Sequence, residues 1–315
     1  MRSLRTLNTL ARSCASALAA CALLAVPAVA ATAFDLSPEQ AARITTGKDA
    51  AAAATLPKDY KWVKEGVLTV GINPFGLPIS SYASDSKTII GADPELALLV
   101  AQTLGLKLEL VPTQWADWPL ALASGKVDAV ISNVGVTELR KEKFDFSSYR
   151  LGLHGFYVRN DSAVKSIKEP KDVAGLRIIT GSGTNQEKIL LEWNKRNVAA
   201  GLKPLELQFY DDPQVQSLAL VSGRADANFN PNGPQAYVAA RDGKTRLVGT
   251  VNAGWPLRSD VGIATRKDSG LAPALTQALN GLVQNGKYAQ ALTRWSLAEE
   301  ALPKAETNPP GLPKF

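Results

Sequence analysis

The chain has 315 residues, of which 45% are apolar and 20% charged. This is an ordinary globular composition, which excludes intrinsic disorder, and the length allows two lobes that each bury a core. The formal net charge is +6, and three of the positive charges, Arg2, Arg5 and Arg12, lie in the first 33 residues. The other basic residues are scattered, so we expect no nucleic-acid partner.

Residues 1–33 have the pattern of a signal peptide. The three arginines precede an apolar run, Ala15 to Val29, and small-residue triplets of the form Ala-x-Ala end at Ala30 and Ala33. We therefore expect export to the periplasm. One alternative stays open, because Leu-Ala-Ala-Cys ending at Cys21 has the form of a lipoprotein box, which would leave the protein lipid-anchored at that cysteine.

Cysteine usage limits the chemistry of the exported chain. Both cysteines, Cys14 and Cys21, lie in the predicted leader. After cleavage the chain would have no disulfide, no thiolate metal ligand and no cysteine nucleophile.

The elements that follow alternate between strand and helix. Residues 34–59 form an N-terminal extension with a helix-start signal, Ser37-Pro38-Glu39-Gln40, and a run of alanines from Ala50 to Ala54. Strands are predicted at 67–72, 106–111, 127–133 and 176–180. Helices are predicted at 94–104, 118–124, from the 181–184 turn through 193, and at 271–283 and 288–295. This alternation predicts an α/β fold with parallel sheets.

An internal repeat predicts two similar lobes. Residues 120–130 read LALASGKVDAV and residues 218–228 read LALVSGRADAN, with seven identical positions in eleven. Each copy combines a helix end, a Ser-Gly stop and a strand start. We expect lobe 1 to contain 60–155 and 256–315, and lobe 2 to contain 156–255. The Gly-rich segments 151–156 and 253–257 would then cross between the lobes.

Patterns typical of enzymes are weak or missing. The single histidine, His154, lies in an apolar stretch and is more typical of a packed residue than of a base. Asp211 and Asp212 are adjacent, so they would point apart on a strand. Gly181-Ser182-Gly183 fits neither a nucleophile elbow nor a dinucleotide fingerprint. We expect no catalytic residue, no metal site and no cofactor.

Binding chemistry is better represented. Gly183-Thr184-Asn185 separates a strand from a helix, and backbone N–H groups at a helix N-terminus favour an anion. Arg140 follows another strand by a short loop, and its guanidinium suits a carboxylate. Trp115 and Phe75 also follow predicted strands. Ligands of open α/β sheets bind at the carboxyl ends of strands, where these segments would lie.

Several segments, in this order, resemble a known family, the polar amino-acid-type (family 3) periplasmic solute-binding proteins of ABC importers. The segments are Gly66–Gly71, Gly91–Leu96, Ser124–Asp128, Thr137-Glu138-x-Arg140, Phe144–Ser147, Asp172-x-x-Gly175-x-Arg177, Gly183-Thr184, Gly262–Asp268 and Asn285–Tyr288 before Trp295. The resemblance implies a two-lobed type II fold with two crossover hinge segments. It also implies a monomer that binds a small polar carboxylate and delivers it to an ABC permease.

The resemblance assigns roles to individual residues. Arg140 matches the arginine that holds the α-carboxylate of the ligand, and the backbone amides of Thr184 and Asn185 share that task. Trp115 matches an aromatic residue that sandwiches the ligand, and Phe75 is a looser match. The remaining matches are Ser132, Asn133 and Gly135, which fall on the stretch that contacts the ligand.

Two positions depart from the family pattern. Gly135 stands where a Thr or Ser hydroxyl commonly helps to hold the α-ammonium group, and Pro231 stands where an Asp is commonly its counter-ion. Asn230 or Asn232 would supply only a neutral acceptor. We therefore favour a ligand without an ordinary α-ammonium. The alternatives left open are an acid that the sequence does not locate, and a quaternary nitrogen held by aromatic rings.

Two other functions are alternatives to this one. Some proteins of this fold are periplasmic dehydratases of the cyclohexadienyl type, but the shortage of candidate acids and bases disfavours an enzyme. A receptor sensor domain is excluded because no segment after residue 61 has the length and apolar character of a membrane span.

Overall fold

The computed structural model describes residues 34–314, so the predicted signal peptide and the lipoprotein box lie outside the described residues. Within this range the chain forms twelve strands and nine α-helices. The strands are β1 (Val67–Ile72), β2 (Ser81–Tyr82), β3 (Ile89–Ile90), β4 (Lys107–Pro112), β5 (Ala129–Val130), β6 (Phe144–Leu151), β7 (Leu153–Arg159), β8 (Arg177–Thr180), β9 (Glu206–Phe209), β10 (Ala227–Pro231), β11 (Thr245–Asn252) and β12 (Asp260–Arg266). The helices are α1 (Ala50–Ala53), α2 (Ala92–Leu104), α3 (Trp118–Ala123), α4 (Glu138–Lys141), α5 (Asn185–Ala199), α6 (Pro213–Val221), α7 (Asn232–Asp242), α8 (Leu271–Gln284) and α9 (Lys287–Arg294).

Ten of these twelve strands form two five-stranded sheets, one in each lobe. The first has the order β4-β1-β5-β12-β6 and the second has the order β11-β7-β10-β8-β9. Neighbouring strands among β4, β1 and β5, and among β10, β8 and β9, are parallel, as the strand–helix alternation predicts. The other pairs are antiparallel. The chain leaves the first sheet along β6 and returns to it along β12, and it enters the second sheet along β7 and leaves it along β11, so each of these pairs runs in opposite directions.

The chain crosses between the sheets at the two predicted segments. It passes from β6 to β7 through Gly152 and returns from β11 to β12 through residues 253–259. The crossovers lie side by side, since the N–H of Ala253 donates to the carbonyl of Gly152 at 3.0 Å. A Cβ atom on Gly152 would lie 2.5 Å from the Cβ of Ala253, so this close approach requires glycine.

The two copies of the internal repeat have the same geometry. Each helix, α3 or α6, ends near a glycine with positive φ, at Gly125 (+76°) and Gly223 (+77°). The aspartates that follow have equivalent partners. A carboxylate oxygen of Asp128 accepts from the N–H of Thr69 at 3.1 Å, and one of Asp226 accepts from the N–H of Arg177 at 2.9 Å. Each aspartate thereby joins its strand to the parallel neighbour, as expected of a repeated unit.

The N-terminal extension packs on lobe 1, but its first predicted helix is absent. Ser37-Pro38 opens a turn in which the Gln40 side-chain amide donates to the carbonyls of Asp35 and Ser37 and competes with the helix. Gln40 is also in the left-handed region, with φ of +47°. The alanine run forms only the short helix α1, which begins at its N-cap Asp49.

Both ends of the described chain contact both lobes. The Phe34 ring lies 5.2 Å from that of Trp295, which caps α9 in lobe 1, and 5.3 Å from that of Tyr237 on α7 in lobe 2. Near the other end, Thr307 forms a bridge with Ser147 of β6, whereas Leu312 is buried in the core of lobe 2. The exact limits of the lobes therefore remain a prediction.

Candidate functional site

A cavity of about 890 Å³ lies between the lobes, at the carboxyl ends of their parallel strands. All eight residues predicted to bind a ligand line it. Four come from loops of lobe 1, one from the short helix α4, two from the start of α5 and one from β10. They are Phe75, Trp115, Asn133, Gly135, Arg140, Thr184, Asn185 and Asn230. The fold thus brings together residues that are up to 155 positions apart in the sequence.

Arg140 spans the cavity from lobe 1 to lobe 2. It lies in α4, whose N-cap Thr137 accepts its backbone N–H through the side-chain oxygen at 2.9 Å. One guanidinium nitrogen, Nη1, donates to the carbonyl of Gly135 at 2.7 Å and to Oδ1 of Asn185 at 3.1 Å. The other, Nη2, donates to the carbonyl of Gly183 at 3.1 Å. Only neutral oxygens therefore accept from this cation.

The positive charge of Arg140 has no carboxylate partner among residues 34–314. Partial burial alone lowers the pKa of its guanidinium to about 10, because water is partly excluded and no acid compensates. The pKa of Lys188 is also lowered, first by burial and then by the charge of Arg140. An anion at this place would neutralise a charge that the protein leaves unpaired.

Two tryptophans flank the guanidinium. Its central carbon lies 5.3 Å from the ring centroid of Trp115 and 5.7 Å from that of Trp118. Such cation–π contacts hold the planar group in one orientation. Trp115 lines the cavity as the sequence predicts, and it also supports the guanidinium of Arg140.

The start of α5 supplies the second group of polar atoms. The carboxylate of Glu187 accepts from the N–H of Gly183 at 2.6 Å, so that amide is occupied. The hydroxyl of Thr184 accepts from the N–H of Glu187 at 3.2 Å. No hydrogen bond found within residues 34–314 uses the N–H groups of Thr184 and Asn185, which remain as helix N-terminal donors.

The Asn185 side chain explains the glycine at position 135. It is buried, accepts from Arg140 and donates to the carbonyl of Ala253 at 3.0 Å. A Cβ atom on Gly135 would lie 2.6 Å from Nδ2 of Asn185. The amide of Asn185 thus occupies space next to Gly135 that a larger residue there would need.

Asn133 and Phe75 line the lobe 1 side of the cavity. Asn133 is in the left-handed region, with φ of +52°, and its N–H donates to the carboxylate of Asp93 at 2.8 Å. Its side-chain oxygen accepts from Arg150, so the side chain belongs to a buried polar network. Phe75 is half-buried and packs against the core of lobe 1.

A group of amide side chains lines the lobe 2 side, and most of it was missed in the sequence. Nδ2 of Asn230 donates to Oδ1 of Asn228 at 2.6 Å and to Oε1 of Gln216 at 3.1 Å. Nε2 of Gln186 donates to Oδ1 of Asn230 at 3.4 Å. Nε2 of Gln235 donates to the backbone carbonyl of Asn230 at 2.8 Å. We call these five residues the amide cluster. The alternation Asn228-x-Asn230 was the one available signal, since it places both residues on one face of a strand.

His154 lines the same cavity near the amide cluster. It is 5% exposed, and neither ring nitrogen has a hydrogen-bond partner among the described residues. Burial lowers its pKa to about 3, so the imidazole is neutral at physiological pH. Its ring meets that of Phe229 edge-on, with the centroids 5.6 Å apart.

Residues 34–314 include no helix with the length and apolar character of a membrane span. The same part of the chain has no group of three or more side chains suited to hold a metal ion.

Comparison with known proteins identifies the family. Residues 68–298 match the model of the bacterial extracellular solute-binding proteins, family 3. The L-cystine-binding protein of Escherichia coli K12 is 30% identical over 239 residues, which cover 74% of this chain and 84% of that protein. The arginine-binding protein of Corynebacterium glutamicum is 28% identical over 250 residues, which cover 78% of this chain and 79% of that protein.

Solved structures give the same result. An ancestral arginine-binding protein bound to arginine is similar with a TM-score of 0.64 and 28% identity, covering 73% of this chain and 98% of that chain. An ancestral amino-acid-binding protein described as a precursor of cyclohexadienyl dehydratase has a TM-score of 0.62 and 28% identity, covering 73% and 95%. These matches confirm the two-lobed type II fold. The family consists of binding proteins, in agreement with the prediction that the chain is not an enzyme. The chain belongs to the family 3 bacterial extracellular solute-binding proteins, which serve amino-acid ABC transport.

Proposed function

We propose that this protein captures a small carboxylate-bearing solute between its lobes in the periplasm and delivers it to an ABC permease. The observation that carries the proposal is Arg140, a half-buried guanidinium in the cavity without a carboxylate partner among residues 34–314. Its fork of donors matches the two oxygens of a carboxylate. The free N–H groups at the start of α5 would add donors from lobe 2.

The proposed binding mode requires both lobes. Arg140 belongs to lobe 1, while Gly183 and Asn185, which accept its hydrogen bonds, belong to lobe 2. A carboxylate inserted between them would replace neutral acceptors with a charged one and would contact both lobes. Ligand would therefore favour the closed arrangement over an open one.

We expect the radius of gyration to decrease when ligand binds. The probe is the tightest-binding member of a panel of L-amino acids together with their N-acetyl and 2-hydroxy analogues, ranked by thermal shift. Small-angle X-ray scattering with and without this compound measures the change. An unchanged radius at saturation would show that closure is not part of binding.

The contact of Phe34 with Tyr237 gives a second test of closure. Phe34 is carried by the extension on lobe 1, so its contact with α7 of lobe 2 forms only when the lobes approach. An aromatic pair contributes roughly 0.5–1.5 kcal/mol. Phe34→Ala should therefore weaken binding by about 2- to 10-fold, mainly through faster dissociation. Surface plasmon resonance measures both rates. Leu202→Ala, an exposed apolar residue of lobe 2, is the control and should leave them unchanged.

A further inference from the structure

The acids that line the cavity are poorly placed to meet a buried cation. They are Asp211, Asp212 and Asp242, and no glutamate of the described residues lines it. Asp212 caps α6 by accepting the N–H of Gln214 at 2.6 Å. Asp242 pairs with Arg241 at 2.6 Å. Asp211 is exposed to solvent, where its charge is screened.

A zwitterion would bring a cation into this cavity. Its carboxylate would neutralise Arg140, and the remaining ammonium would lose its water without gaining a counter-ion. Burying a charge in this way is unfavourable unless it is paired. The charges of the cavity therefore fit a ligand whose net charge is negative.

The amide cluster offers neutral hydrogen bonding instead. Each amide has both donors and an acceptor, so the cluster suits an uncharged polar group. Oε1 of Gln235 is buried and has no hydrogen-bond partner among the described residues. Both ring nitrogens of His154 are likewise buried and without a partner in this part of the chain. These atoms are closed off from the cavity, so the neutral hydrogen bonding offered to a ligand comes from the amide groups that line it.

The size of the cavity agrees with a substituent beyond a simple amino acid. At about 890 Å³ it lies in the upper part of the range of roughly 300–1,000 Å³ for small-molecule sites. The apolar residues Leu36, Phe75 and Leu77 line it together with the amide cluster. This combination provides room for an uncharged group that is part polar and part apolar.

We propose that the ligand is a carboxylate with an uncharged hydrogen-bonding group in place of a free α-ammonium, such as an N-acyl amino acid. The carboxylate binds Arg140, and the neutral group binds the amide cluster. This inference rests on the proposed function, because it assumes that Arg140 holds the carboxylate.

Matched sets of compounds test the inference. Each set contains an L-amino acid, its N-acetyl derivative and its 2-hydroxy analogue, all with the same side chain, and isothermal titration calorimetry measures their affinities. We expect an uncharged analogue to bind at least 10-fold more tightly than the parent amino acid. Equal or tighter binding of the parent would overturn the inference and leave the proposed function intact. If no carboxylate of any set binds, both are wrong.

An isosteric variant provides a second readout. Asn230→Asp places a carboxylate inside the amide cluster, where the donors of Gln186 and Gln216 can turn toward it. We expect this variant to shift the preference at least 10-fold toward the parent amino acid. Asn285→Asp makes the same change at an exposed position outside the cavity and should have no effect. An unchanged preference in Asn230→Asp would count against the role of the cluster.

Asp211 is the acid that most needs to be tested as a counter-ion. Asp211→Asn should leave the affinities of all three compounds in a set unchanged. If this variant weakens the parent amino acid alone by 10-fold or more, Asp211 meets an ammonium group and the inference is overturned.

Discussion

Arg140→Ala is expected to weaken ligand binding by about 30-fold to several thousand-fold. Removing one partner of a desolvated, hydrogen-bonded ion pair typically costs roughly 2–5 kcal/mol, which corresponds to this range. The effect should be large here because the other cations that line the cavity among residues 34–314 are paired or exposed: Arg241 pairs with Asp242, and Lys244 is exposed to solvent. Lys188 lies near enough to affect Arg140 electrostatically, but it does not line the cavity. Isothermal titration calorimetry with the tightest-binding carboxylate of the panel measures the loss.

Two further variants define the role of Arg140. Arg140→Lys should not restore binding, because an ammonium group lacks the planar fork and cannot reach both Gly135 and Gly183. Arg224→Ala removes an exposed arginine of lobe 2 that does not line the cavity, and it should bind as the unchanged protein does. Circular dichroism should show that all three variants are folded. If Arg140→Ala binds within 3-fold of the unchanged protein, the site is wrongly assigned.

The residues a few positions after strands were the ones that the sequence could locate. Arg140, Thr184 and Trp115 each follow a predicted strand by a few positions, and parallel strands bring their carboxyl ends to one edge of a sheet. The internal repeat added the second lobe, because Asp128 and Asp226 mark the same place in two similar units. Local sequence patterns, together with the rule that ligands bind at the carboxyl ends of parallel strands, were therefore sufficient to place these residues at the cavity.

The glutamines of the amide cluster were not predictable in the same way. Gln186, Gln216 and Gln235 come from three different helices, and only the packing of α5, α6 and α7 around β10 brings them to Asn230. The sequence around a single glutamine on a helix does not show whether its side chain lines a cavity or faces solvent. The extension shows a different limit, since the side chain of Gln40 bonds to local carbonyls and competes with the helix that Ser37-Pro38 predicts.

A buried ionic network below the cavity was also hidden in the sequence, because its members are distant along the chain. Arg150 on β6 is 2% exposed, and it donates to Glu300 and to the side-chain oxygen of Asn133. The carboxylate of Asp93 lies 3.8 Å from Arg150 and accepts from the hydroxyl of Tyr149 at 2.9 Å. Burial works against the charged form of Arg150, but the carboxylates of Glu300 and Asp93 outweigh it and raise its pKa.

We expect Arg150→Met to lower the free energy of unfolding by about 3–5 kcal/mol at neutral pH. Methionine fills much of the volume, but it leaves two buried carboxylates without a cation, and breaking a buried pair from one side has this cost. Urea unfolding followed by tryptophan fluorescence measures the loss. The control is Lys64→Met, which removes a cation from the exposed pair with Glu109 and should cost at most about 1 kcal/mol.

The pH dependence of this loss identifies its cause. Burial already raises the pKa of Asp93 above its usual range, although Arg150 opposes the shift, and without Arg150 the pKa should rise further. An acid whose folded-state pKa is raised carries no penalty below its unfolded pKa, and it loses stability as the pH rises through the folded pKa. The difference between Arg150→Met and the unchanged protein should therefore be larger at pH 7.5 than at pH 5, where Asp93 of the variant binds a proton. A loss of the same size at both pH values would mean that packing, and not uncompensated charge, accounts for the role of Arg150.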